Sequence, residues 1–180
     1  MKNIQLNTRI IVITAIILLA AFSRLIPHLP NFTPIGAIAL FGGACFINKK
    51  LALLIPFLAM LLSDLLIGFH GTMVAVYLSF IAIVGIGMLL KNRVKPLSVL
   101  FAALGSSILF FIVTNFAVWM EGANYTFDLV GLFTCYIAAI PFFHYTLIGD
   151  LLFTGILFYF HYMKFYRIGN IQKPKNSLVP

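Results

Sequence analysis

The chain has 180 residues, of which 62% are hydrophobic and only 9% are charged, and its formal net charge is +8. A soluble domain needs a polar surface around its core, and 12 basic plus 4 acidic residues are too few to provide one at this size. Lipid is therefore the expected solvent for most of the surface, and the positive charge indicates cytoplasmic loops rather than a nucleic-acid site.

Apolar segments of the length of a membrane span follow one another along the chain. A spanning helix needs about 20 residues, and six segments approach that length. They are approximately 9–26, 33–48, 51–69, 72–90, 97–119 and 142–163. A further apolar piece, 129–140, is stopped by Pro141 and is too short to span. We predict a bundle of six transmembrane helices, in which this extra piece is re-entrant or lies against the outer surface.

The basic residues predict the orientation of the bundle. Six spans that start in the cytoplasm leave only Arg24 outside, and the other 11 of the 12 Lys and Arg residues inside. Cytoplasmic loops carry such an excess of positive charge. We therefore predict a multi-pass protein of the inner (plasma) membrane with both termini in the cytoplasm. Residues 1–167 are expected to form a single transmembrane domain, and 168–180 a flexible cytoplasmic tail.

Small residues within the spans predict close helix packing. Ala39 and Gly43 are spaced four residues apart in the second span, and Gly85, Gly87 and Gly105 occur in later ones. Lipid supplies no hydrophobic drive for helix association, so small side chains let helix backbones approach each other closely.

Polar side chains concentrate in the outer halves of the spans and in the outer loops. Lipid cannot solvate them, so they must face protein, water or ligand. We predict one cavity open to the outside between the third, fifth and sixth spans, beneath the proline-rich loop 27–34. At least three of five central residues should line it, namely Asp64, Asn115, Glu121, His144 and Asp150. The other candidate substrate-binding residues are Arg24, His28, Asn31, His70 and Trp119.

Structural roles are the alternative for several of these residues. Asp64 could pair with Arg24, and Asp150 could pair with His144. Trp119 could be an aromatic residue of the membrane interface. We predict no metal site and no cofactor, because metal-ligand spacings such as H-E-x-x-H and the phosphate-binding pattern G-x-x-x-x-G-K-[ST] are missing from the sequence.

Several runs resemble the signature of an uncharacterised bacterial family predicted to contain membrane transport proteins. The resemblance covers roughly residues 10–163. The runs are NFTPIGAIALFGGA (31–44), Ser63-Asp64, Gly68-Phe69-His70, TNFAVW (114–119) and Gly149-Asp150. The fold of that family is similar to the S components of energy-coupling factor transporters, which are their substrate-binding subunits.

This resemblance implies a function and partners. S components have six helices and cytoplasmic ends, and they bind vitamins or related molecules from the outer face, under the loop between the first two helices. Their partners are a membrane energy-coupling subunit and ATPases. The first helix here carries Ala15, Ala20 and Ala21 but no strict A-x-x-x-A docking pattern, so use of the shared coupling subunit stays open. The start, Met1-Lys2, lacks the Met-His pair of the cobalt and nickel proteins.

We therefore predict a substrate-binding subunit of an uptake transporter for a vitamin-like or related micronutrient, and not an enzyme. One alternative is a structural or assembly protein of the membrane without a small ligand. The other is a membrane-embedded enzyme that uses Asp64, Asp150 and His144 as acid–base groups.

Overall fold

Six α-helices make up the regular structure of the protein. The computed structural model describes residues 2–26, 29, 31–91 and 94–171, and the side chains of 11–26, 29, 31–91 and 94–163. The helices are α1 (Lys2–Leu25), α2 (Ile35–Cys45), α3 (Lys49–Ile67), α4 (Met73–Leu89), α5 (Pro96–Met120) and α6 (Leu129–Ile171). Regular structure within the described ranges is helical throughout, which confirms the predicted all-α class.

The short helix α2 lies at the centre of the bundle. It packs against α3, α4, α5 and α6, and eight of its 11 residues are buried. At about 1.5 Å per residue it rises roughly 16 Å, about half the thickness of a bilayer's hydrocarbon core. α2 is thus enclosed by longer helices rather than crossing the bundle itself. Its Gly and Ala residues allow the backbones of these helices to approach its own backbone closely.

The tightest helix crossing joins α2 to α4 at two glycines. A Cβ atom added to Gly43 would overlap the carbonyl oxygen of Val84 and would lie 3.0 Å from the Cα of Gly87. A Cβ atom on Gly87 would likewise overlap the carbonyl oxygen of Leu40. These two glycines have the packing role predicted for them. Gly85 and Gly105 do not, because a Cβ on either one has no heavy atom within 4 Å.

The outer faces of the helices are apolar. Leu66, Phe101 and Phe160, for example, are 73%, 63% and 67% exposed. Such a surface needs an apolar solvent. Within the described residues, three helical segments are long and apolar enough to cross a membrane, namely Lys49–Ile67, Pro96–Met120 and Leu129–Met163. Three apolar segments are shorter, namely Ile11–Leu25, Ile35–Cys45 and Met73–Leu89.

Helix α6 corrects the prediction for 129–140. This segment is neither re-entrant nor a separate surface piece, because it forms the first part of a continuous 43-residue helix with Pro141 inside it. The segment packs along α5, where the Tyr136 hydroxyl donates to the carbonyl oxygen of Ile112 at 2.7 Å. A helix in an apolar surround keeps its backbone bonds on both sides of a proline, because lipid offers no other partners. α6 also continues to Ile171, so residues 168–171 of the predicted tail are helical. Residues 172–180 lie outside the described residues.

Candidate functional site

A cavity of about 470 Å³ opens at one end of the bundle. It lies where α1, α3 and α5 end and where α2 and α4 begin, and the middle of α6 completes its wall. Five of the ten predicted site residues line it, namely Arg24, Asn31, His70, Asn115 and Asp150. Because these residues come from several helices and two loops, only the folded bundle brings them together.

Buried apolar side chains fill the centre of the bundle beneath the cavity. Leu40, Ile55, Ala59, Ile83 and Val84 belong to one buried cluster, and each is at most 1% exposed. Side chains of this kind leave little space between helices. The cavity therefore has an apolar floor along α2, α3 and α4. A second cavity of about 540 Å³ lies between α5 and α6 toward the other end of the bundle.

A buried ion pair supports one wall of the cavity. The Nη1 atom of Arg24 lies 2.5 Å from Oδ1 of Asp64 and 2.5 Å from the hydroxyl of Ser63. The Tyr77 hydroxyl donates to Oδ2 of Asp64 at 3.0 Å. The Asp64 side chain is fully buried, whereas that of Arg24 is 18% exposed. Arg24 thus lies at the cavity wall, with Asp64 behind it as its counter-charge.

Asp150 lies on the wall formed by α6. The residue is 7% exposed, and Ser107 on α5 donates its hydroxyl hydrogen to Oδ2 at 2.7 Å. Gly36 at the start of α2 provides the room for this carboxylate, because a Cβ atom there would lie 2.5 Å from Oδ1. Thr146 and Thr154, one turn away on either side, are also buried, so Asp150 belongs to a buried polar stripe on α6.

The expectation that at least three of the five central residues would line one cavity is wrong. Asn115 and Asp150 line it. Asp64 is held behind Arg24, as its structural alternative predicted. Glu121 is exposed and its carboxylate packs against Gly71. His144 is also exposed, and its ring contacts Tyr145 rather than Asp150.

Trp119 does not line the cavity either. Its indole Nε1 donates to the carbonyl oxygen of Thr126 at 2.9 Å, and its ring packs against Phe127. Asp128 then caps α6, because its Oδ1 accepts a hydrogen bond from the Gly131 N–H at 2.6 Å. This bond and one from Thr126 hold the pKa of Asp128 below its ordinary value. Trp119 and Asp128 therefore fix the loop 121–128 between α5 and α6. His28 lies outside the described residues.

The sequence analysis missed the aromatic part of the wall. Five phenylalanines line the cavity, namely Phe80, Phe110, Phe111, Phe142 and Phe143. Four of them form two adjacent pairs in the sequence, close to the polar residues Thr114 and Thr146. A pair of large aromatics beside polar residues in the same helical turns is the signal that could have identified this wall.

Comparison with known proteins gives a family but no characterised relative. The sequence pattern of DUF6580, a family of unknown function, matches residues 4–171, which is nearly the whole chain. No curated protein matches the chain, and no solved structure matches it.

Proposed function

We propose that this chain, which belongs to the DUF6580 family, is the substrate-binding subunit of a small-molecule uptake transporter in the bacterial inner membrane. In this proposal all six helices form a bundle like that of the S components, the termini are cytoplasmic, and the cavity opens to the outside. A vitamin-like or related micronutrient would be the ligand, and separate membrane and ATPase subunits would supply the energy.

The observation that carries the proposal is the cavity between the helix ends. Its volume of about 470 Å³ lies within the range of about 300–1,000 Å³ that small-molecule sites occupy. Its wall combines aromatic rings with a few polar groups, which is the composition expected where a ligand is both buried and oriented. The buried apolar cluster beneath the cavity supports a binding subunit rather than a channel.

The arrangement of the acid–base candidates favours binding over catalysis. Asp64 is occupied by Arg24 and Tyr77, and His144 is exposed away from Asp150. A general acid and a general base must both reach the reacting atoms, and these three groups do not share one wall.

Filling the cavity should remove ligand binding. Ala139 lines the cavity, so Ala139→Trp would insert an indole ring into it, whereas Ala138 on the same helix is exposed and does not line it. We expect native mass spectrometry of the gently purified wild-type chain to detect a retained small molecule. The same mass should be lost from Ala139→Trp and kept by Ala138→Trp. A wild-type chain that never retains a small molecule would favour the structural or assembly role.

The orientation can be tested by cysteine labelling from outside the cell. In a chain whose Cys45 and Cys135 are replaced by alanine, an impermeant thiol reagent should label Asn124→Cys but not Asn92→Cys. The reason is that Lys91, Arg93 and Lys95 surround Asn92 in a loop expected to be cytoplasmic. Both variants should react once the membrane is permeabilised, which is the control. Labelling of Asn92→Cys alone would reverse the assignment.

A further inference from the structure

The charges of the cavity wall are unequally satisfied. Among its described lining residues, two are of the charged types Asp, Glu, Lys and Arg, namely Arg24 and Asp150. Arg24 already has a counter-charge, since its Nη1 contacts Asp64 at 2.5 Å. Tyr77 satisfies the other oxygen of Asp64. The Arg24–Asp64 pair therefore contributes no net charge to the cavity.

Asp150, in contrast, has no cationic partner within the described part of the chain. Its polar contact there is the hydroxyl of Ser107 at 2.7 Å, which is neutral. A carboxylate this deeply buried is costly unless a positive charge or a proton accompanies it. Because Asp150 lines an open cavity rather than a sealed core, a ligand can supply that charge.

Neighbouring polar groups present acceptors to the cavity. Thr114 donates its hydroxyl hydrogen to the carbonyl oxygen of Phe110 at 2.7 Å. Asn115 donates from Nδ2 to the carbonyl oxygen of Phe111 at 2.8 Å. The hydrogen of Thr114 is thus used within α5, and the lone pairs of its hydroxyl and of the Asn115 amide oxygen are left to accept, beside the second N–H of the Asn115 amide. The acceptors beside Asp150 on α5 therefore suit hydrogen-bond donors of a ligand whose charged end lies against that carboxylate.

The aromatic part of the wall is also suited to a cation. The cavity that Asp150 lines is also lined by Phe110 and Phe111 on α5 and by Phe142 and Phe143 on α6. The ring centroids of Phe111 and Phe143 are 4.8 Å apart. The face of an aromatic ring attracts an ammonium or a cationic ring nitrogen. The same rings provide apolar contact for the rest of an organic molecule.

From this combination we propose that the ligand is a small organic cation, whose protonated or quaternary nitrogen lies against the Asp150 carboxylate and among the phenylalanine rings. This inference rests on the proposed function and names its substrate class. It assigns Asp150 to the ligand's positive charge, and it assigns Asn115 and Thr114 to the hydrogen-bond donors of the ligand.

Four probes with one common body can test the charge preference. They are 2-phenylethylammonium, its permanently charged N,N,N-trimethyl derivative, neutral 2-phenylethanol and anionic 3-phenylpropionate. Their dissociation constants would be measured on the purified full-length chain in a neutral detergent. The variant Ala139→Trp, whose cavity is filled, would give the background from partition into detergent. We expect both cations to bind the wild type at least about tenfold more tightly than the alcohol or the carboxylate.

Asp150→Asn tests the assigned residue, because it keeps the shape of the side chain and removes its charge. We expect it to weaken binding of both cations by about tenfold or more and to leave the affinity for 2-phenylethanol unchanged. Asp128→Asn, at the cap of α6 and outside the cavity, is the matched control. It should change neither the affinity for the cations nor that for 2-phenylethanol. If Asp150→Asn does not fold, the ranking of the four probes on the wild type still decides the question.

The outcomes separate this inference from the proposed function. Binding of the alcohol or the carboxylate that Ala139→Trp removes, without a preference for the cations, would overturn the inference and leave the binding function intact. Equal cation affinity in the wild type and in a folded Asp150→Asn would also overturn it. If no probe binds the wild type above background, the inference fails. If native mass spectrometry then also finds no retained molecule, the binding function fails with it.

Discussion

Replacing Arg24 by methionine is expected to lower the free energy of unfolding by about 3–5 kcal/mol, because it leaves the Asp64 carboxylate buried without its counter-charge. Asp64 is fully buried and depends on Arg24 and Tyr77 for its polar contacts. Methionine keeps the apolar stem of the side chain, so the loss should report the charge rather than the packing. Reversible denaturation of the purified chain in mixed micelles would measure it.

Two controls make this result specific. Lys91→Met removes an exposed positive charge and should change the free energy of unfolding little. The double variant Arg24→Met with Asp64→Leu removes both charges and should recover most of the stability, since an apolar pair can replace a buried ion pair at little cost. An Arg24→Met chain as stable as the Lys91→Met chain would contradict the buried role of the pair.

Gly43→Ala is expected to lower the free energy of unfolding by about 1–3 kcal/mol, because the added methyl group overpacks the crossing of α2 and α4. The atoms that it would meet belong to the backbone of Val84 and Gly87, and a helix backbone cannot turn aside as a flexible side chain can. α2 contacts four other helices, so a shift of this helix also disturbs the wall of the cavity. The same denaturation assay would detect the loss.

The matched control for Gly43→Ala is Gly85→Ala. Gly85 lies on α4, close in sequence to the crossing, but a Cβ atom there meets open space. Alanine is the better helix former by about 1 kcal/mol, so this variant should be as stable as the wild type or slightly more stable. Similar losses in both variants would show that helix propensity, rather than close approach, controls the effect.

The helices were predictable because apolar runs and polar breaks alternate clearly along the chain. The predicted spans 51–69 and 72–90, for example, differ by about two residues or fewer at each end from α3 (Lys49–Ile67) and α4 (Met73–Leu89). The predicted second span, 33–48, became the short central helix α2 (Ile35–Cys45). The length of this segment alone could not predict its central position. A short glycine-rich helix can either cross the membrane incompletely at the edge of a bundle or lie buried within it.

Pro141 shows where local rules fail. Proline removes one backbone hydrogen bond and usually ends a helix in water, so the sequence indicated a break between 129–140 and 142–163. The structure instead continues α6 through Pro141. Contacts with α5, such as the Tyr136–Ile112 hydrogen bond, hold the first part of α6 in line. Such contacts between distant residues cannot be seen in a sequence window.

The sequence predicted where the candidate site lies better than it predicted which residues line it. The segregation of polar residues indicated the correct end of the bundle, and Arg24, Asn31, His70, Asn115 and Asp150 do line one cavity. Which charge faces the cavity and which supports its wall depends on side-chain partners. Asp64 and Asp150 look alike in the sequence, yet one is neutralised by Arg24 and the other is bonded to Ser107.

The contact between Gly36 and Asp150 has an evolutionary consequence. A methyl group at residue 36 would lie 2.5 Å from the Asp150 carboxylate, so residue 36 cannot become larger unless the Asp150 side chain shifts or shortens. We expect the two positions to covary across the DUF6580 family: glycine where α6 carries the acid, and a larger residue only where that acid is replaced by a shorter side chain.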